Sequence, residues 1–273
     1  MVRKVKSIII SGLGTNCERE TAYCCRVGGA EVVDIVHIHD ILYGEKRLDD
    51  YHLLNLAGGF LDGDDLGAAR AGANRFKYAS IKGTDEKLKD QLLRFIEDGK
   101  LIFGVCNGFQ LMIKLGMLPA TCGEYFDQVC TITYNDSGRF EDRWVYLNVD
   151  TESPCVFTKG IGRLYLPVRH GEGKFIPKDD HVYDELNKQK LVVMRYADEH
   201  FQPTMRYPEN PNGSIHAIAG ICNETGRLFG LMPHPEAFNH TTNHPRWTRG
   251  ICPETPLGVE LFKNGIAYIR ENL

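Results

Sequence analysis

Apolar residues in this chain come in short runs broken by turn residues, and between the first runs they recur at helical spacing. Residues 5–10 are apolar enough for a strand buried on both faces, and a Gly-rich turn and a helix over about 15–28 are predicted after them. A second β-rich segment covers 31–39 and a third 53–56, which ends at Gly58-Gly59. Residues 84–98 predict a helix. Asp85 and Glu86 stand at its start, where the helix dipole favours acids, Gly99 follows its end, and Leu88, Leu92, Leu93 and Ile96 fall at helical spacing. Residues 101–105 then predict a short strand and 109–118 a helix stopped by Pro119.

Strands alternating with helices over the first 120 residues imply a parallel sheet with helices on both faces. Beyond them the pattern turns strand-rich, at 129–134, 144–149, 164–168, 191–197 and 214–222, with few helical stretches between. Residues 223–226 predict a hairpin turn into 227–232, and a last helix covers about 256–270. No repeat, low-complexity tract or linker divides the chain. The expectation is one α/β domain over 1–273, a mostly parallel central sheet flanked by helices, with added β-strands in the second half.

Composition narrows the function classes. The chain has 273 residues, 42% hydrophobic and 25% charged, as expected of a soluble globular protein. A net charge of −4 and the lack of a dense Lys/Arg block give no footprint for nucleic acid or an anionic membrane. The basic N-terminus is followed by only three consecutive isoleucines, too short for a signal peptide or a membrane span. Nine cysteines with no CxxC pair, two of them adjacent at Cys24-Cys25, predict free thiols in a reducing cytoplasm.

One of those cysteines carries chemistry. In Gly104-Val-Cys106-Asn-Gly108 the cysteine sits at a predicted strand-to-helix junction, framed by glycines two places either side, as in a nucleophile elbow. A side chain on so sharp a turn occupies strained backbone, and its neighbours must be small. The helix behind it aims N-terminal amides and a positive dipole end at the sulfur, which favours a thiolate. The bland alternative is a buried core cysteine, the reading given to the other eight. A thiol nucleophile needs a base and a group to orient it. His234 and Glu236, two residues apart after an apolar run and held between prolines, meet that need if the segment is extended, since i and i+2 then point the same way. An incidental surface turn is the competing account.

Taken together, Cys106 with Gln110, and His234 with Glu236, resemble the triad region of the class I glutamine amidotransferases, which have a flavodoxin-like fold. Within that family the chain is most similar to the glutaminase subunits of phosphoribosylformylglycinamidine synthase. The stretches that carry this are Gly14 to Thr21, Ala57 to Phe60 with Gly63-Asp64, Arg139-Phe140 with Arg143 to Val145, His170 to Gly173, Pro208 to Ser214 with Ile218 to Ile221, and Met232 to Glu236. The resemblance implies a catalytic Cys106–His234–Glu236 triad and an oxyanion hole from the Gly59 and Asn107 amides. It also places Phe60, Gln110, His170, Gly171 and Glu172 around the substrate glutamine. It further implies an ATP-dependent synthetase partner that consumes the ammonia, with ATP and magnesium on that partner, and often a small third subunit. No cofactor is expected on this chain. Leu61-Asp62 departs from the family pattern, in which an aromatic often stands nearby, and leaves glutamine access open.

Other motifs fail. Gly12-Leu-Gly14 follows a strand, but Cys17 stands where a dinucleotide fingerprint needs its third glycine. Val168 and Phe175 break the phosphate-loop pattern around Gly171 to Lys174, so no ATP site is expected in the chain. His240 and His244 are four apart, yet prolines and asparagine argue against a helix holding both, and solvated loop histidines with no metal are expected. Two rival functions remain: the glutaminase partner of another class I amidotransferase, and a non-catalytic regulatory module on the same fold.

Overall fold

The structure, a computed structural model, describes residues 4–253 and 256–273; Met1 to Arg3, part of the N-terminal stretch read above, lie outside them. The first half alternates β1 (Lys6–Ser11), α1 (Glu18–Val27), β2 (Val32–His37), α2 (Ile38–Leu42), β3 (Leu53–Leu56), α3 (Arg70–Tyr78), α4 (Leu88–Glu97), β4 (Leu101–Val105) and α5 (Asn107–Lys114). The second half is β5 (Cys130–Tyr134), β6 (Glu141–Val149), β7 (Arg163–His170), β8 (Glu172–Pro177), α6 (Asp180–Lys188), β9 (Val192–Ala197), β10 (Ile218–Cys222), β11 (Leu228–Leu231) and α7 (Leu257–Asn272).

Nine strands make one sheet in the order β2-β1-β3-β4-β11-β10-β9-β6-β7. The joins from β2 through β11 are parallel and the four beyond are antiparallel, so only β10 and β6 run against the rest. β5 is a strand as expected but lies outside this sheet, paired antiparallel with β8 in a two-stranded ribbon. The inner parallel strands are covered on both faces: all residues of β3, β4 and β11 are buried, Asn55 being the one polar side chain among them. Phe103 on β4 stacks on Phe157 and Phe229 and meets Phe262 of α7 edge-on, each fully buried ring stabilising the fold by about 1.5–3 kcal/mol. Residues of both halves join in one continuous buried cluster.

Several boundaries shift for reasons the structure supplies. α1 starts at Glu18 because Thr15 forms a bridge with Gly59, while the Asn16 and Cys17 amides donate to Gly58 O. α4 starts at Leu88 because Ser80 pairs with Lys87, and Asp90 reaches back to accept from the Lys87 amide at 2.9 Å. The segment predicted as strand over 31–39 ends at His37, whose Nδ1 accepts from the His39 amide and opens α2. β10 is shorter than predicted: Ser214 Oγ accepts from Phe175 N at 3.0 Å, and His216 and Ala217 turn sharply at positive φ. α3, α6 and β8 have no counterpart in the prediction. α3 buries only Gly72, Ala73 and Phe76 and has no side-chain cap, whereas α6 sets Val182, Tyr183 and Leu186 against the core behind an Asp179 N-cap, a signal the prediction passes over. His244 is not a solvated loop histidine: it is 6% exposed, packed among Trp144, Tyr165 and Phe238. His240 stays exposed and accepts from the Thr242 amide.

Candidate active site

The parallel strands deliver their C-terminal ends to one edge, where open α/β sheets place their ligand crevices. There β1 ends toward the loop with Asn16 and Cys17, β3 toward Gly58-Gly59, β4 at Cys106 and β11 toward His234. A cavity of about 220 Å³ opens over them. Cys106, His234, Glu236, Gly59 and Phe60 line it, and so do Gln110, His170, Gly171 and Glu172.

Cys106 stands between β4 and α5 at φ 50, ψ −104, a conformation that costs a non-glycine residue about 1–3 kcal/mol and persists only when its surroundings impose it. They do: its amide donates to Leu231 O at 2.8 Å, tying β4 to β11, and its carbonyl accepts from Gln110 N at 2.9 Å, starting α5. The helix therefore begins at Asn107, immediately behind the sulfur, and not at 109. Gly108 is required by close approach, since a Cβ there would lie 1.9 Å from Leu56 O at the end of β3. Gly108→Ala is expected to lower unfolding stability by about 3 kcal/mol in denaturant titration; an unchanged midpoint would mean β3 yields freely.

His234 and Glu236 meet, but not in an extended segment. Pro235–Ala237 is a 3-10 turn, and it carries the carboxylate round to accept from the imidazole, His234 Nδ1 to Glu236 Oε1 at 2.5 Å. The His234 amide donates to Pro167 O at 2.8 Å, fixing the turn against β7. Both side chains are buried, and Gly58 makes the room: a Cβ there would fall 2.8 Å from His234 Cε1. Burial works against a charged imidazole, but the Glu236 carboxylate, and after it Cys106, outweigh burial and hold the His234 pKa well above the ordinary histidine value. The Cys106 thiol is turned to Arg169 O at 3.6 Å, which leaves His234 Nε2 buried with no hydrogen-bond partner. A rotation of the thiol toward Nε2 would pair sulfur and base.

Two backbone amides are available for a developing oxyanion. The Asn107 amide belongs to the first turn of α5, whose N–H groups have no partner within the helix. Gly59, at φ +137, lies in a bridge to Thr15 that uses Gly58 O and the Phe60 amide, so its own N–H faces away from that bridge.

The polar atoms of the remaining predicted residues are largely engaged within the protein. Gln110 Nε2 donates to Glu172 O at 2.6 Å and its Oε1 accepts from Asn107 Nδ2 at 3.0 Å. The Glu172 carboxylate accepts from Ala68 N at 3.1 Å and lies 3.9 Å from Lys114 Nζ. His170 has both ring nitrogens occupied. Asn135 Nδ2 donates to two carbonyls, so its Oδ1 faces His170 Nδ1 at 3.0 Å, which must carry the proton; Nε2 accepts from Asn212 Nδ2 at 3.4 Å. Burial, and then the charge of His234, push the His170 pKa down to about 3, so it stays neutral. These groups shape the wall through Arg169 to Glu172, while Phe60 and Phe140 stand exposed at its rim. Leu61 is buried and Asp62 pairs with Arg75 at 3.0 Å; neither lines the cavity. Asn16, Cys17 and Arg169 do line it and escaped the sequence reading, Cys17 because it was grouped with core thiols.

Comparison with known proteins agrees with this geometry. The CobB/CobQ-like glutamine amidotransferase domain model matches residues 4–269. Phosphoribosylformylglycinamidine synthase subunit PurQ of Dehalococcoides mccartyi is 43% identical over 268 residues, 98% of this chain and 99% of the relative. The same subunit of Methanococcus maripaludis is 40% identical over 277 residues, 97% of this chain and 98% of the relative. The structure of PurLQS from Thermotoga maritima contains a chain that superposes with a TM-score of 0.70 at 28% identity, covering 97% of this chain and 99% of that one. The chain belongs to the glutamine amidotransferases and, within them, to the PurQ subunits of phosphoribosylformylglycinamidine synthase.

Proposed function

We propose that the chain is the glutaminase subunit of phosphoribosylformylglycinamidine synthase, one catalytic domain over its whole length. The observation that carries this is the buried His234–Glu236 pair, 2.5 Å apart, facing the same cavity as a cysteine held on strained backbone. Cys106 passes its thiol proton to His234 Nε2 as the sulfur attacks the side-chain carbonyl carbon of glutamine. The oxygen takes up negative charge between the Gly59 and Asn107 amides, where each preorganised donor contributes a rate factor of about 10²–10³. The carbon–nitrogen bond then breaks as His234 gives its proton to the departing ammonia, leaving a glutamyl thioester. Water loses a proton to His234 and displaces the sulfur, releasing glutamate. Glu236 keeps the imidazole in the tautomer that exposes Nε2.

The wall from Arg169 to Glu172, backed by Gln110, positions the substrate by its shape, its carbonyls being held in place by Asn135 and Gln110 on one side and by the Cys106 thiol on the other. The ammonia passes to an ATP-dependent synthetase subunit, with a small third subunit, as the PurLQS neighbour suggests. ATP and magnesium belong to that partner. Nine thiols suit a reducing cytoplasm, and among the described residues no helix is long and apolar enough to cross a membrane.

The test is glutamate release by the pure chain, alone and with synthetase subunit, ribonucleotide substrate and ATP. Little release alone and at least a tenfold rise in the complex (about 1.4 kcal/mol of barrier) is expected. No release in either arm would refute the glutaminase assignment, and full release by the chain alone would refute activation by the partner.

A further inference from the structure

Cys17 has no part in the acyl transfer, yet its Sγ stands 3.9 Å from His234 Nδ1. The ligand atoms of Cys17, His234 and Glu236 all lie within 4.8 Å of one another, although 217 residues separate the cysteine from the histidine. Glu236 is fully buried; one oxygen accepts from Nδ1, and the other, Oε2, has no hydrogen-bond partner. A carboxylate oxygen shut from water and without a donor marks a place that suits a cation. Gly58 keeps the space open, since a Cβ there would fall 3.3 Å from Cys17 Sγ.

We propose that Cys17 Sγ, His234 Nδ1 and the Glu236 carboxylate form a site for a thiophilic divalent cation, zinc above all, that switches the enzyme off. Zinc bonds of about 2.3 Å to sulfur and 2.0–2.1 Å to nitrogen, at a tetrahedral angle, set the two ligand atoms about 3.6 Å apart. The observed 3.9 Å between sulfur and nitrogen needs only a few tenths of an ångström of closure, while the 2.5 Å between Nδ1 and Glu236 Oε1 must open to about 3.3 Å, so the carboxylate gives up its hydrogen bond to Nδ1 and turns aside as the cation enters. Thiolate, carboxylate and neutral imidazole together cancel the two positive charges, and a fourth position faces the cavity for water. Thiolate and imidazole ligands select zinc over magnesium or calcium. Binding displaces the Nδ1 proton and the Cys17 thiol proton. The imidazole then carries its remaining proton on Nε2 and has no free nitrogen to accept one from Cys106 or water. This blocking effect rests on the glutaminase reading; the metal site itself does not.

Cobalt(II) added to the full-length, metal-free chain is the probe, because thiolate–cobalt charge transfer absorbs in the near ultraviolet whether or not the enzyme turns over. The band is expected in the native chain and in Cys106→Ala, bleached by zinc. In Cys17→Ser, cobalt binding should weaken by at least about 10²-fold, the upper end of what losing a mere supporting partner of a ligand costs. A band that survives Cys17→Ser and disappears in Cys106→Ala would overturn the site, as would no band at millimolar cobalt. Should Cys17→Ser not fold, the native chain decides. Zinc should protect Cys17 from iodoacetamide, read by mass spectrometry of its peptide, and equal alkylation with and without zinc would overturn the proposal.

Discussion

Cys106→Ala is expected to abolish glutamine-dependent amidine synthesis by the reconstituted synthase, a fall of about 10⁴-fold or more, while ammonia-dependent synthesis by the partner continues. The reason is covalent. On the proposed mechanism no thioester forms without sulfur, and the Gly59 and Asn107 amides proposed as the oxyanion hole have no tetrahedral intermediate to stabilise. The backbone has no cause to move, because alanine keeps the Cβ that cysteine already carries at φ 50 and the elbow is held by hydrogen bonds to Leu231 and Gln110. Both rates are measured in one preparation, so the ammonia-dependent arm reports a folded, assembled complex. An unchanged glutamine-dependent rate would remove Cys106 from the chemistry and favour a regulatory module.

Glu236→Gln has the second largest expected effect, a loss of about 10³–10⁴-fold in glutamine-dependent turnover. In the native chain the carboxylate accepts from Nδ1 at 2.5 Å and overcomes the burial that otherwise disfavours a charged His234. Glutamine supplies neither the charge nor a fixed tautomer, so burial wins and the imidazole stays neutral at pH 7. Stability should follow with a definite sign. The folded-state pKa of His234 is raised, so its contribution is fully present below the unfolded histidine value of about 6.5 and is lost as pH rises through the raised value. Native and variant chains should therefore differ most in unfolding free energy at about pH 5–6.5 and converge toward alkaline pH. A difference that grows with pH would show that Glu236 does not hold the imidazolium.

Much of the scaffold could be read before any coordinates. β3 and β4 match their predicted bounds because each is a short, mainly apolar run that ends close to a glycine turn or at the elbow, Asn55 being the one polar residue in them. α3 leaves little trace because its buried residues are mostly small, whereas α6 has an Asp179 N-cap and a short apolar face of Val182, Tyr183 and Leu186 that the prediction passes over. β5 was recognised as a strand but not as a member of a separate ribbon, since pairing partners leave no trace in the alternation of one segment. The His234–Glu236 contact was anticipated through extended backbone and is made by a 3-10 turn instead: two prolines restrict φ without dictating which compact or extended form results.

What the amino-acid sequence alone determined is therefore local: where the chain bends, which runs are buried, and that a cysteine stands between glycines at a strand end. Steric exclusion and solvent exclusion act residue by residue, and they write these features into composition and spacing. Only the tertiary structure decided what meets across 217 residues. It brought Cys17, taken for a core thiol, against the His234 imidazole, and committed His170, Gln110 and Glu172 to partners within the wall. Such contacts depend on strand order and on the relative height of loops at one sheet edge. No spacing along the chain encodes that order, because it emerges from the packing of all the strands together.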